Sequence, residues 1–396
     1  MSDETKASAT VSDYLRWRGD LTFAQDGFNE VDNLLLCIIS YIKLENIPQL
    51  RSFDPQDAMP MGDVCRLLTE EDEQLGLSTL DYIPLMRQAA ETPRFREVSL
   101  FAFESLHDED RQMQFAAVSF LLPDGSVYAA YRGTDMTIVG WQEDFNMSFL
   151  SAVPAQVKAA EYAGAVARAC PGRALRIGGH SKGGNLAAWA AVHLDEKLQR
   201  QRLIAAYNND GPGFSRDLVD TPGYQAVADR LVTYIPASSI VGVLLEHAED
   251  YEVVDSTARS IMQHEPLSWC VEGPRFVHLG QRSQLGQLSD GVLREWIGSM
   301  SSREREQFSR AFFDILSRGG RTKTLEDLRS GGLAAGAALI REYAGADEEK
   351  KKIISEIFRR LAVDVKDELM KAAGAGVRRA GESILATGQA IADLRK

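Results

Sequence analysis

Cysteine is scarce, with only Cys37, Cys65, Cys170 and Cys270 in 396 residues. None stands in a Cys-x-x-Cys pair, so neither a disulfide framework nor a zinc site is expected. Positive charge is also short. Lys and Arg number 44 against 57 Asp and Glu, giving a net charge of −13 and a pI near 5.1. Nucleic-acid binding wants a basic face, so this balance argues against a nucleic-acid partner. No apolar run reaches the roughly 18 residues that would suggest a membrane-spanning helix. Residues 1–12 are polar and acidic and lack an apolar core. No signal peptide is expected there, and the cytoplasm is the default location. Gly-x-x-x-x-Gly-Lys-Ser/Thr and His-Glu-x-x-His are both absent, and His, Cys and carboxylates do not cluster. Neither a cofactor nor a metal is called for.

What is present is 44% hydrophobic residues, ample for a core. The length allows one large α/β domain with an appendage, or two domains. Residues 1–12 read as a tail, and 14–29 as an irregular aromatic and polar stretch. Leu34–Ile42 reads as a buried helix capped by Asn29 or Asp32. Asp63–Glu70 and Asp81–Thr92 look helical, the second as a packed helix or part of an access wall. Strands are expected near 98–104, over Gln114–Leu122 and over Val127–Arg132. Asp124-Gly125 between the last two marks a hairpin. A helix over Ala155–Cys170 and strands at Leu175–Gly178, Leu203–Tyr207, Leu231–Ile235 and Tyr251–Val254 follow. A helix over Gly183–Arg200 separates two of them. This alternation predicts an α/β protein with a mostly parallel sheet and helices on both faces.

One stretch carries chemistry. Ile177-Gly178-Gly179-His180-Ser181-Lys182-Gly183-Gly184-Asn185 runs from an apolar strand through a turn into an Ala-rich helix. It is a Gly-x-Ser-x-Gly nucleophile elbow in the strand–turn–helix setting such an elbow needs. Small residues two before and two after Ser181 let strand and helix close around a tight turn. The helix N-terminus then faces developing negative charge. Upstream, Tyr131-Arg132-Gly133-Thr134-Asp135 ends a strand in a turn. The Thr134 N–H and the Lys182 N–H are the candidate oxyanion donors. The alternative is a plain strand-ending turn with a buried salt bridge at Arg132.

These pieces, with Trp141-Gln142-Glu143-Asp144-Phe145, Asn208–Phe214 and Gln263-His264-Glu265-Pro266, resemble the class 3 lipase branch of the α/β-hydrolase fold. More narrowly, the chain resembles a bacterial lipase-like family of unknown function. The resemblance covers residues 95–280, more weakly back to Trp17. It implies an α/β-hydrolase core there. Residues 1–94 are then a tail and helical segment packing on the core, and 281–396 a helical C-terminal extension. Along that extension Ile353, Ile354, Ile357, Phe358 and Leu361 mark an apolar helical face, for packing, a partner helix or a membrane interface.

A serine nucleophile needs a base and an acid that orients it. Six histidines are available. His180 lies beside the nucleophile, pointing the wrong way. His107 and His193 are upstream of the acid segment or on a surface helix. His264 stands where the resemblance puts the catalytic histidine, with His278 as an alternative and His247 as a solvated helix residue. The lipases carry their acid after the strand that ends here at Pro236. This chain instead reads Ala237-Ser238-Ser239-Ile240-Val241-Gly242, with no carboxylate. Asp210, one strand earlier, is the replacement, with Asp255 and Glu246 in reserve. Asp144 is read as structural and Lys182 as a surface salt-bridge partner. The expected activity is a serine esterase, with a small-molecule ester or lipid substrate and the triad Ser181, Asp210 and His264. Alternatives are an inactive hydrolase-fold binding or scaffold protein, or a hydrolase of thioesters or peptides.

Overall fold

The computed structural model describes residues 8–69, 82–135, 137–283, 286, 296, 299–317, 343–356 and 359. The expectations for Glu70, Asp81, most of 284–298 and of the helical extension beyond 317, and the Ile357, Phe358 and Leu361 part of the apolar face lie outside them. Of the described residues, 8–135 and 154–283 form one compact unit. Those of 137–153 and from 286 onward form another.

The first unit opens with helices α1 (Val11–Arg18) and α2 (Glu30–Ile39), then strand β1 (Met59–Pro60) and helices α3 (Met61–Leu67) and α4 (Ile83–Glu91). Strands β2 (Ser99–Asp108), β3 (Met113–Leu121) and β4 (Val127–Tyr131) follow as an antiparallel meander. The 138–146 helix belongs to the second unit. The chain then returns through α5 (Pro154–Ala169), β5 (Leu175–His180), α6 (Lys182–His193), α7 (Glu196–Arg202), β6 (Leu203–Asn209), β7 (Leu231–Pro236) and β8 (Tyr251–Val254). β4 to β8 run parallel in sequence order. A short strand, His278–Leu279, closes the far edge antiparallel to β8, giving nine strands in one sheet.

Crossovers between parallel strands are right-handed, and these all step the same way. They therefore lay α5 and α6 on one face of the sheet, and the opposite face needs another cover. That cover is α2, where Val31 and Leu34–Ile39 are all buried. The period-2 alternation of β4 shows the two faces. Tyr128 and Ala130 join the core cluster that contains α2. Tyr131 points the other way and donates its hydroxyl to the Ala159 carbonyl of α5 at 2.8 Å.

Two expectations change. Val11–Arg18 is a helix rather than tail and irregular chain. Thr10 precedes it, and its N–H donates to Asp13 at 3.0 Å, half of a capping box that the Thr-x-x-Asp spacing encodes. The single helix expected over 183–200 is two. Asp195 caps the second by accepting the Lys197 N–H at 3.0 Å. Asn29 caps α2, taking the N–H groups of Val31 and Asp32 at 3.0 and 3.1 Å.

Asp32 also ties the N-terminal elements to the core. Its carboxylate accepts from Arg94 at 2.7 and 2.5 Å and from the Tyr14 hydroxyl at 2.8 Å, and both ions are fully buried. Arg94 spends its other donors on the carbonyls of Leu21, Asp26 and Gly27. Removing one partner of such a pair leaves a buried charge uncompensated. Asp32→Leu should therefore cost about 3–5 kcal/mol, read as a lower urea midpoint, and adding Arg94→Met should recover part of it. A loss under about 1 kcal/mol in the single variant would remove this pair as the tie.

Candidate active site

β5 ends at His180 and α6 begins at Lys182, so the turn between them is Ser181 alone. Its backbone sits at φ 58° and ψ −134°. A non-glycine residue held there costs about 1–3 kcal/mol and persists only where its surroundings impose it. The surroundings are crowded. A Cβ on Gly179 would lie 2.1 Å from the backbone of Gly183, and one on Gly183 would lie 2.2 Å from the Tyr131 carbonyl oxygen. Strand, helix and the turn after β4 meet there with no room for side chains. The Ser181 N–H donates to the Asn209 carbonyl at 3.0 Å, and its own carbonyl accepts from Gly184 at 2.9 Å. Ser181 is half-buried at the N-terminal end of α6.

Asp210 follows β6 and is also left-handed, at φ 56°. Its N–H donates to the Tyr234 carbonyl at 2.8 Å, and its side chain is fully buried. The carboxylate accepts from His264 Nδ1 at 2.6 Å, Ser239 Oγ at 2.6 Å and the Gly242 N–H at 3.1 Å. With the carboxylate as acceptor, the His264 proton sits on Nδ1. Nε2 keeps its lone pair, the tautomer a general base needs. The His264 ring is 12% exposed. Its short 3-10 segment is anchored by the Trp269 indole N–H on the Gln263 carbonyl at 3.0 Å, and by the Ser238 N–H on Gln263 Oε1 at 2.7 Å.

Thr134 is buried in the turn after β4. Arg132 holds that turn from below, donating to the Ser40 and Ile42 carbonyls just past α2 at 2.8 and 2.9 Å, with Glu45 at 3.7 Å. Burial pushes the guanidinium pKa down. Glu45 lies outside that turn and is 39% exposed, so Arg132 is held mainly by the two carbonyls rather than by a buried salt bridge. Lys182 corrects its expectation. It is 1% exposed rather than at the surface, and its ammonium donates to the Gln114 carbonyl and Oε1 at 2.8 and 2.6 Å. A buried ammonium must find acceptors, and β3 supplies them.

The reserve residues lie elsewhere. Among the described contacts, the carboxylate on the His264 ring is that of Asp210. Asp255 instead accepts the Ser256 N–H at 2.8 Å, and Glu246 exchanges backbone bonds with Phe214. His278 bridges Glu30 and Glu252 at the sheet edge. His247 is not a solvated helix residue. It is buried between Glu249 at 3.0 Å and the Gly242 carbonyl at 2.7 Å. Trp141 and Asp144 stand on the Ile138–Asn146 helix of the second unit. Sequence reasoning missed Ser239 and Gly242 as partners of Asp210. It also missed the ring of His180, buried between the Tyr41 hydroxyl at 3.0 Å and the His264 carbonyl at 2.8 Å. Burial, then the nearby His264 ring, hold the His180 pKa well below the usual histidine range.

A sheet with a parallel centre, covered on both faces and carrying a serine at a strand–turn–helix elbow, defines an α/β-hydrolase-like fold. The chain belongs to the lipase-like family described as Mbeg1-like, which matches residues 89–314. Among solved structures, a crystal structure of M37 lipase is similar at 15% identity and a TM-score of 0.35. The match covers 55% of this chain and 70% of that one. No curated protein matches. Among the described residues, no helix is long and apolar enough to cross a membrane, and no group of three or more His, Cys, Asp or Glu could hold a metal ion.

The buried, neutral His180 has a consequence for stability. As pH falls below about 6.5, the unfolded chain protonates this histidine and the folded chain does not. The fold is therefore destabilised by about 1.4 kcal/mol per pH unit on acidification, and this penalty is absent above about pH 7. The stability difference between wild type and His180→Gln, from urea titrations between pH 7 and 5, should shrink in favour of the variant. A constant difference would show that His180 takes up its proton in the folded state.

Proposed function

We propose that this chain is a serine hydrolase cleaving carboxylic esters, with lipid or acyl esters as the substrate class. The observation that carries the reading is the 2.6 Å bond between His264 and Asp210, beside a strained Ser181 at the ends of adjacent strands. The reaction is placed within residues 95–280, with 1–94 as its packed support and 281–396 as a helical extension. His264 Nε2 takes the Ser181 hydroxyl proton as Oγ attacks the carbonyl carbon. The tetrahedral oxyanion is held by the N–H groups of Thr134 and Lys182, the latter at the positive end of α6. Collapse breaks the ester C–O bond, and the imidazolium returns its proton to the leaving alcohol. Water, deprotonated by His264, then attacks the acyl-enzyme and releases the acid. Asp210 keeps the imidazole in the Nδ1–H tautomer and stabilises the imidazolium. The lipid part of the reading rests on family likeness, since one fold hosts many reactions.

A fluorophosphonate probe should label the wild type, and Ser181→Ala should abolish labelling. A wild type that stays unlabelled favours the binding or scaffold alternative. Asp210→Asn should lower kcat on a p-nitrophenyl ester about 10³–10⁴-fold while KM changes little, because the wrong tautomer removes the base but not the binding site. An unchanged kcat would exclude Asp210 as the acid. Activity rising with acyl-chain length would support a lipid substrate, and equal activity across lengths would count against it.

A further inference from the structure

His180 Nε2 lies 2.8 Å from the carbonyl oxygen of His264. A carbonyl only accepts, so Nε2 carries the proton and Nδ1 is left as an acceptor. The Tyr41 hydroxyl donates to it at 3.0 Å, and the same hydroxyl lies 3.2 Å from the carbonyl of His180 itself. A third segment closes on the pair. A Cβ on Gly133 would sit 2.0 Å from Tyr41 Oη and 2.6 Å from the His180 carbonyl oxygen. The peptide that presents the Thr134 N–H is therefore packed directly on the tyrosine hydroxyl. Tyr82 buttresses the arrangement, its ring set edge-on to Tyr41 with centroids 6.0 Å apart and its hydroxyl on Glu265 at 2.9 Å.

We propose that Tyr41 and His180 are positioning residues that fix the oxyanion turn, the Ser181 elbow and the His264 loop at their working separation. The catalytic consequence rests on the serine-hydrolase reading above, whereas the positioning itself does not. Neither side chain is assigned a contact with substrate. Each of the three segments ends a different part of the chain, and this pair touches all three. The His180 and His264 rings are 4.6 Å apart between centroids. The cation that forms on His264 during turnover would be repelled by a charged neighbour at that distance. A ring kept neutral by burial gives hydrogen bonds without that penalty.

The test compares full-length wild type, His180→Leu, His180→Gln and Tyr41→Phe. Glutamine keeps a donor and an acceptor; leucine keeps neither. In steady-state ester hydrolysis, His180→Leu should lower kcat about tenfold with KM within about twofold, the scale of one buried hydrogen bond. His180→Gln should recover most of that loss, and Tyr41→Phe should fall between. Amide hydrogen exchange over 259–269 should quicken in His180→Leu and stay near wild type in His180→Gln. A leucine variant with wild-type kcat and exchange overturns the proposal, as does a glutamine variant no better than leucine. If the wild type is not labelled at Ser181, the esterase reading falls, and the exchange comparison alone decides the positioning.

Discussion

The constraint on which the site depends is the left-handed backbone of Ser181. A serine does not hold φ 58° unaided, so the neighbouring chain must enforce it. Enforcement is steric on one side, where Gly179, Gly183 and the Tyr131 carbonyl leave no space for a relaxed turn. On the other side it is a hydrogen bond, from the Ser181 N–H to the Asn209 carbonyl. Asn209 is itself fixed. Its side chain donates to the Gly179 carbonyl at 2.9 Å and accepts from Asn33 at 2.8 Å. The strain at Ser181 is thus held by a polar cluster that reaches down to α2.

That cluster explains why the N-terminal elements belong to the site as well as to the core. Asn33 and Cys37 of α2 meet Tyr128 of β4 and Asn209 of β6 beneath the sheet, all hydrogen-bonded and all buried. A buried polar network specifies one arrangement because any shift leaves a donor or acceptor unpaired. Cys37 is a packing member rather than a reactive thiol, since burial pushes its pKa up to about 12. The same helix ends where Arg132 anchors the turn after β4, on the carbonyls of Ser40 and Ile42. α2 therefore supports Ser181 through one turn of its length and the turn after β4 through its end.

The legible parts of this chain were those written in local pattern. The elbow, the Asp124-Gly125 hairpin and the strand–helix alternation follow from spacing and turn chemistry within a few residues. The Thr10-x-x-Asp13 and Asp195 caps were equally local and were passed over. What sequence could not reveal were contacts made across long separations. Lys182 looked exposed because lysine usually is, but its turn points it at Gln114, 68 positions away in sequence. His247 reads in the sequence as a solvated helix residue. Only the fold shows it pinned under the Gly242 loop. His180 points away from the base position, and that orientation is what lets it reach His264.

The acid role proposed for Asp210 depends on what lines its carboxylate. The strand-end positions of β6 and β7 are in register, with Asn209 beside Tyr234, which brings the segment after Pro236 alongside Asp210. The segment after Pro236 carries no acid, yet it supplies Ser239 Oγ and the Gly242 N–H to Asp210. Gly242 is held in turn from its other side, its carbonyl accepting from His247. The segment binds a carboxylate rather than carrying one. The absence of a carboxylate after Pro236 is therefore compatible with an intact site, because the donors left there are aimed at the acid next door.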